Sequence, residues 1–377
     1  MSGKLEKKPY ELDLFHANNL VQITEKVLIR AMERQPETLP MFRGSAMRKG
    51  CFEGKESFTT PRLAYSFYDL YTVHSSPVVA QGKVFFGADS KALFCLDANT
   101  GQELWRFKTQ AEVRSTPLVS NASVYFGCFD HNFYCLNADT GHLRWKFPTA
   151  DWIFSSPALQ GGLVYLAGMD GSIYALDAFT GKLVWKLTTD SWMISSPTLF
   201  EGKVFIGSRD GFLYALDAHT GSVIWKKQMQ GPVHATAAIH QRQVLVGDTR
   251  GHFFSLKVED GSVAWNYVSE GAIFSSAAVC ESYCVFGNRK GELTCLEPNT
   301  GRLLWKTKFK RAIHSSPSIM GNRVLFGCDD GILYALKLSD GQQLWQYSTP
   351  DIIRSSAWLE EKRLWFGGLR LYCLEWD

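Results

Sequence analysis

Hydrophobic positions along this chain fall in short runs separated by glycine, asparagine and aspartate rather than in long helical stripes. Between Val73 and Phe107 the runs are VHSSPVV, KVFFG, ALFCLD and ELWRF. Each is rich in β-branched and aromatic residues and bounded by turn formers, so each reads as a strand. The same order then returns with a fixed period. Trp105, Trp145, Trp185, Trp225, Trp265, Trp305 and Trp345 are spaced by 40 residues, and a glycine precedes each by four, from Gly101 to Gly341. Four strands in every such period form the blade of a β-propeller.

The two ends of the chain fix the blade count. After Trp345 come Arg354-Ser355-Ser356, Leu364-Trp365-Phe366-Gly367 and Leu371-Tyr372-Cys373-Leu374, three strands without a tryptophan strand. Tyr65 lies 40 residues before Trp105, inside Arg62-Leu63-Ala64-Tyr65-Ser66-Phe67, and can supply the missing one. Seven complete copies and one composite predict an all-β, eight-bladed propeller of four-stranded blades over residues 59–377, closed by an N-terminal strand that leaves no free edge at the joint.

Within a blade the residue types assign places. Asp170-Gly171, Asp210-Gly211 and Asp330-Gly331 separate the second and third strands, where Asp-Gly supplies the positive φ of a tight hairpin. Ser75-Ser76-Pro77, Ser155-Ser156-Pro157, Ser195-Ser196-Pro197 and Ser315-Ser316-Pro317 recur at one repeat position. Small side chains suit the crowded axis, so this strand is placed innermost and the tryptophan strand outermost. A nucleophilic serine would come singly with a base beside it; a serine repeated in most blades is packing. Residues 1–58 form an extension outside the repeat. Leu20, Val21, Ile23, Val27, Leu28 and Ile29 predict a helix over about Asn18 to Arg34, ended by Pro36 and expected to cap one propeller face, with binding to something else as the alternative.

Composition narrows the function classes. The chain is 45% hydrophobic and 14% aromatic, enough for a large core. Its formal net charge is only +3, without a basic block, so no nucleic-acid partner is expected. The start MSGKLEKKPYELDLF has no apolar region behind its charges, and no stretch is long and apolar enough to span a bilayer. The expectation is a cytoplasmic, monomeric propeller with no membrane partner. Nine cysteines include no adjacent pair. Cys95, Cys135 and Cys295 share the repeat position of Ala175, Ala215, Ser255 and Ala335, so they stand in for small buried residues and predict no disulfide framework.

The repeat resembles the pyrroloquinoline-quinone (PQQ) type repeat over about residues 59–377. Its clearest copy runs from Ser195 to Lys226, with Gly207, Asp210-Gly211, Leu213-Tyr214-Ala215-Leu216-Asp217-Ala218, Thr220-Gly221 and Trp225. The resemblance implies the propeller and says little about activity. The family includes quinone-dependent alcohol dehydrogenases, the outer-membrane assembly lipoprotein of Gram-negative bacteria, and propeller domains appended to kinases and adenylating enzymes. Likeness to the dehydrogenases would imply PQQ and a calcium ion near the axis, above a disulfide between adjacent cysteines, in an exported protein. This sequence has no adjacent cysteines, no export signal and no lipobox, so no cofactor is expected and a binding or scaffold propeller remains.

Function in such a regular repeat should show where equivalent positions differ. The residue before the serine pair is His74, Arg114, Phe154, Ile194, His234, Phe274, His314 or Arg354, a ring at one mouth of the central channel. His74, Arg114, His314 and Arg354 share one arc, a basic mouth suited to a carboxylate, a phosphate or an acidic peptide. The alternative is that they only satisfy backbone groups and water in the channel. The histidines sit in blades 1, 5 and 7, too far apart for one ion, so no metal is predicted. Trp152 and Trp192, two residues before Phe154 and Ile194, are placed to stack a flat ligand, to grip a peptide, or to pack on the N-terminal segment. No phosphate loop, nucleophile elbow or HExxH helix is present. The leading expectation is a non-catalytic binding or scaffold propeller that mediates a protein interaction and grips an acidic group at its mouth. Two alternatives stay open: an enzyme or cofactor-binding protein that takes a quinone-type or anionic substrate in the axial pocket, and a small-molecule sensor or lectin-like binder using the inter-blade grooves.

Overall fold

The computed structural model describes residues 40–54 and 59–376. The helix expected over Asn18 to Arg34 lies outside the described residues. Eight sheets surround an axis, each with four antiparallel strands in the predicted order, and the sheet of blade 7 carries a fifth strand added in parallel. In blade 1 these are β3 (Val78–Ala80) innermost, then β4 (Lys83–Ala88), β5 (Ala92–Asp97) and β6 (Glu103–Lys108) outermost. Strand β2 (Arg62–Phe67) pairs antiparallel with Leu371–Glu375 and completes blade 8. β3 is buried along its whole length, whereas β6 alternates between half-buried and exposed, as expected where one face packs on the next blade and the other meets water.

The outer tryptophans stitch neighbouring blades together. Trp105 Nε1 donates to the Ala138 carbonyl at 3.2 Å, Trp185 to Ala218 at 2.9 Å, and Trp305 to Leu338 at 2.8 Å. Tyr65 makes the equivalent bond from the composite blade, its hydroxyl donating to the Ala98 carbonyl at 3.0 Å. Each ring leans on the glycine of the next blade. At Gly141, with φ of +71°, an added Cβ would lie 2.7 Å from the Trp105 ring, so both backbone conformation and space require glycine. The predicted hairpin aspartates do more than turn. Asp210 accepts the Phe212 N–H at 2.9 Å and the Tyr214 hydroxyl at 2.7 Å, tying turn to strand.

Closure at the axis is a circle of hydrogen bonds. The second residue of each small-residue pair accepts, through its side-chain oxygen, the backbone N–H of its counterpart one blade back. The chain of bonds runs from Ser76 N–H to Thr116 Oγ1 and on to Ser356 N–H to Ser76 Oγ, all within 2.9–3.2 Å. The first serine of the pair works either within its own blade, as Ser75 does by accepting from Gly87 N–H at 2.7 Å and donating to the Gly87 carbonyl at 3.0 Å, or across to the next, as Ser115 does by donating to the Ser155 carbonyl at 2.9 Å.

Residues 40–52 cross the far end of this channel as a strap. Inner strands leave backbone N–H groups facing the axis, and strap carbonyls accept five of them: Val119 to Pro40, Leu199 to Ala46, Ile239 to Met47, Val279 to Lys49 and Ile319 to Gly50, at 2.8–3.0 Å. The strap then enters blade 7 as β1 (Cys51–Phe52), parallel to Ser318–Met320. Two arginines anchor it from opposite sides. Arg43 donates to the Pro317 carbonyl at 3.2 Å and to Ala277, while Arg48 donates to Pro197 at 3.1 Å and Pro157 at 2.7 Å. Both are buried. Burial pulls each guanidinium down from its ordinary value to about 9, so both stay charged at neutral pH, balanced by carbonyl dipoles.

Candidate functional site

The axial channel is a one-ended funnel of about 580 Å³. Its floor is Phe42 from the strap, its wall is the circle of hydroxyls, and its mouth is the ring predicted from the variable repeat position. His74, Arg114, His234, His314 and Arg354 all line it. Trp152 and Trp192 do not. Trp152 stacks on Phe129 at 4.9 Å between ring centroids with the planes 4° apart, and Arg209 lies 3.9 Å over the Trp192 ring. Both indoles sit on the rim, half exposed.

Each wall hydroxyl has accepted a backbone N–H and retains its own proton. No acceptor for these protons is found among the described residues, so they face the cavity. The wall from Ser76 to Ser356 is therefore a band of hydroxyls, each able to donate its proton and to accept through its remaining lone pair. Ser156 and Thr236 are 6% and 4% exposed, buried except toward the funnel.

At the mouth, two residues missed in the sequence reading alter the electrostatics. Asp89 accepts Arg114 Nε at 2.9 Å and Nη2 at 2.9 Å, and lies 3.5 Å from His74 Nε2. Asp329 accepts Arg354 Nε at 3.2 Å and Nη2 at 3.1 Å, and meets His314 Nδ1 at 3.0 Å. The two His–Asp–Arg clusters are copies of one arrangement, since His74, Asp89 and Arg114 repeat after 240 residues as His314, Asp329 and Arg354. Burial opposes ionisation of Asp329, but hydrogen bonds from His314 and Arg354 outweigh it and hold the carboxyl down at about 2. Burial keeps the His74 imidazole below its ordinary value, Asp89 opposes this, and Arg114 and Arg354 push it further down. The expected basic arc is thus a pair of charge-compensated clusters, in which the N–H groups of each guanidinium not spent on aspartate are left for a ligand. The missed aspartates had a signal: their repeat position holds Phe129, Met169, Arg209, Thr249, Arg289 and Leu369 in the other blades, as variable as the mouth ring.

The opposite arc is apolar and aromatic. Phe274 sits edge-on between His234 at 5.2 Å and His314 at 5.8 Å. His234 Nδ1 is buried without a partner among the described residues. Burial, reinforced by Arg209, lowers its pKa to about 4, so the ring is neutral at pH 7. No cluster of three or more potential metal ligands occurs among the described residues. The nine cysteines are all unpaired. The carboxylates of the two mouth clusters, Asp89 and Asp329, are already committed to histidine and arginine. That donor set does not fit a quinone held with a calcium ion.

Comparison with known proteins places this geometry in a family. The family model described as outer membrane protein assembly factor BamB matches residues 57–151, 130–276 and 268–360. No curated protein sequence matches the chain. Among solved structures, the computationally designed Ika8 protein is 18% identical with a TM-score of 0.76, covering 84% of this chain and 100% of its own. BamB from Moraxella catarrhalis is 16% identical with a TM-score of 0.75, over 84% and 100%. Quinohemoprotein alcohol dehydrogenase from Comamonas testosteroni is 15% identical with a TM-score of 0.79, over 93% and 82%. These structural likenesses carry the fold alone. The match to the family model, across most of the chain, makes this protein a member of the PQQ-like repeat propellers of the BamB type.

Proposed function

We propose that this protein is a non-catalytic binding propeller: a rigid ring that presents its one-ended funnel and surrounding rim to a protein partner and holds an acidic group of that partner in the funnel. The observation that carries this reading is the convergence of the twin clusters His74–Asp89–Arg114 and His314–Asp329–Arg354 on a cavity walled by hydroxyls that are free to donate. An oxygen-rich anion is the complement of such a lining, with arginine supplying charge and hydroxyls supplying directed hydrogen bonds. The stacked and edge-on aromatics across the mouth add apolar area at low entropic cost. The name of the family, an assembly factor, agrees with a partner-binding role.

The test is affinity capture with the immobilised full chain, comparing wild type with Arg114→Ala/Arg354→Ala by quantitative mass spectrometry. A protein recovered by wild type and reduced about tenfold or more by the double variant is the expected result. Equal recovery would remove the funnel from the function. The enclosed volume also fits a free small anion. Calorimetry with citrate separates the two readings, because saturable one-site binding that depends on Arg114 and Arg354 would favour the small ligand.

A further inference from the structure

A second charged feature lies outside the funnel, where blade 6 meets blade 7. A groove of about 480 Å³ on the mouth side is lined by Arg289, Lys290, Lys310 and Arg311, with Asp329 and Ile352 at its inner end. All four cations are exposed. None has a carboxylate partner among the described residues, and the one acid in the lining, Asp329, is occupied by His314 and Arg354.

The repeat provides its own control. At the positions of Lys290 and Arg311, blade 2 has Asp130 and Asp151, blade 3 has Asp170 and Ser191, and blade 7 has Asp330 and Asp351. Aspartate at the first of these positions holds the hairpin by accepting turn N–H groups. In blade 6 that task has passed to Asn288, whose Oδ1 accepts Lys290 N–H at 2.9 Å and Glu292 N–H at 3.0 Å. The fold therefore does not need lysine at 290, nor a cation at the other three positions.

The two loops are also fixed against each other. Phe309 N–H donates to the Gly291 carbonyl at 2.7 Å, and a Cβ at Gly291 would stand 2.3 Å from the Arg311 carbonyl. The guanidinium of Arg289 is held 5.4 Å over the Phe274 ring. Loops locked by backbone contacts spare the cost of ordering the backbone when a ligand arrives, which leaves the cost of the side chains alone.

We propose that this groove is a docking site for an extended acidic segment of a protein partner, its carboxylates meeting Arg289, Lys290, Lys310 and Arg311 in succession. A nucleic acid is the poorer complement. Proteins that hold duplex backbones neutralise about 6–10 phosphates, whereas the acids of blade 7, Asp330 and Asp351, would repel a longer polyanion leaving this groove. The inner end of the groove, Asp329 and Ile352, adjoins the funnel, but Arg114 and its partner Asp89 lie outside the groove lining, so the two are separable by substitution at Arg114.

The experiment is fluorescence anisotropy of a labelled hexaglutamate peptide with the full chain, at low and high salt. Wild type should bind saturably at low salt, with affinity falling as salt rises. Lys290→Glu/Lys310→Glu/Arg311→Glu should weaken it by about tenfold or more, while Arg114→Ala, whose partner Asp89 is outside the groove, should leave it intact. Zero-length carbodiimide coupling of the peptide to wild type should map to Lys290 or Lys310, a readout that needs no variant to fold. Absence of binding by wild type, coupling confined to other lysines, or tighter binding of an oligothymidylate of equal charge would overturn the proposal. Dependence on Arg114 with indifference to the groove substitutions would assign the peptide to the funnel instead.

Discussion

The two ends of the channel both use arginine, and they use it in opposite ways. At the floor, Arg43 and Arg48 are buried against backbone carbonyls with no acidic partner among the described residues. At the mouth, Arg114 and Arg354 are partly exposed and forked onto Asp89 and Asp329. A guanidinium among carbonyls is fixed, because moving it would strand both a charge and several acceptors in a dry interior. A guanidinium paired with a carboxylate beside water can exchange that partner for another anion at small cost. The floor is therefore structural, and the mouth is where binding can occur.

The sharpest way to break this contrast is at the floor. Arg48→Ala would leave the carbonyls of Pro197 and Pro157 unsatisfied and remove the side-chain anchor of the strap on blades 3 and 4. The expected loss is about 3–4 kcal/mol of stability in chemical denaturation, whereas Arg354→Ala at the mouth should cost no more than about 1 kcal/mol. Similar losses at both sites would erase the distinction.

The wall between the two ends sets an intermediate scale. Thr116→Val keeps shape but removes the acceptor of the Ser76 N–H, a bond of 3.1 Å buried in the ring. One orphaned donor should lower stability by about 1–2 kcal/mol. Protection of the Ser76 amide in hydrogen exchange should fall in the same variant. Unchanged protection would mean that water replaces the hydroxyl and that the circle does not close the propeller.

How much of this was legible in the sequence follows from periodicity. The ring was, including its joint, because Tyr65 falls on the tryptophan register and its hydroxyl reaches a carbonyl 33 residues on, as the indoles do. Cys95, Cys135 and Cys295 are buried at their alanine-like position. The strap was not, since Met41 to Phe52 occurs once and its partners are backbone N–H groups that no side-chain pattern reports. The mouth was half legible: the cations stood out against their repeat equivalents, and comparison at the neighbouring variable position would have found Asp89 and Asp329 as well. Trp152 and Trp192 were located near the mouth, but each is held by a rim partner, Phe129 or Arg209, whose contact depends on blade packing.

The smallest expected effect tests the mouth's other arc. His234 has its pKa lowered to about 4 by burial, with Arg209 adding to it, against about 6.5 in an unfolded chain. The unfolded state then binds the proton more readily than the folded one, so this residue's contribution to stability declines as pH falls from 6.5 toward 4 and is constant below that. Asp329, at about 2, contributes stability that is present above the ordinary aspartate range and is lost only at lower pH, outside this window. Comparing stability at pH 7 and pH 4.5 in wild type and His234→Phe isolates the histidine, because His74, His240 and Glu360 titrate in both proteins. The variant should show the shallower decline, with near-unchanged stability at pH 7, where the imidazole is neutral and its Nδ1 makes no bond to lose. An equal decline would mean that His234 reaches water or an acceptor at the mouth, and that the arc opposite the two clusters is polar in solution.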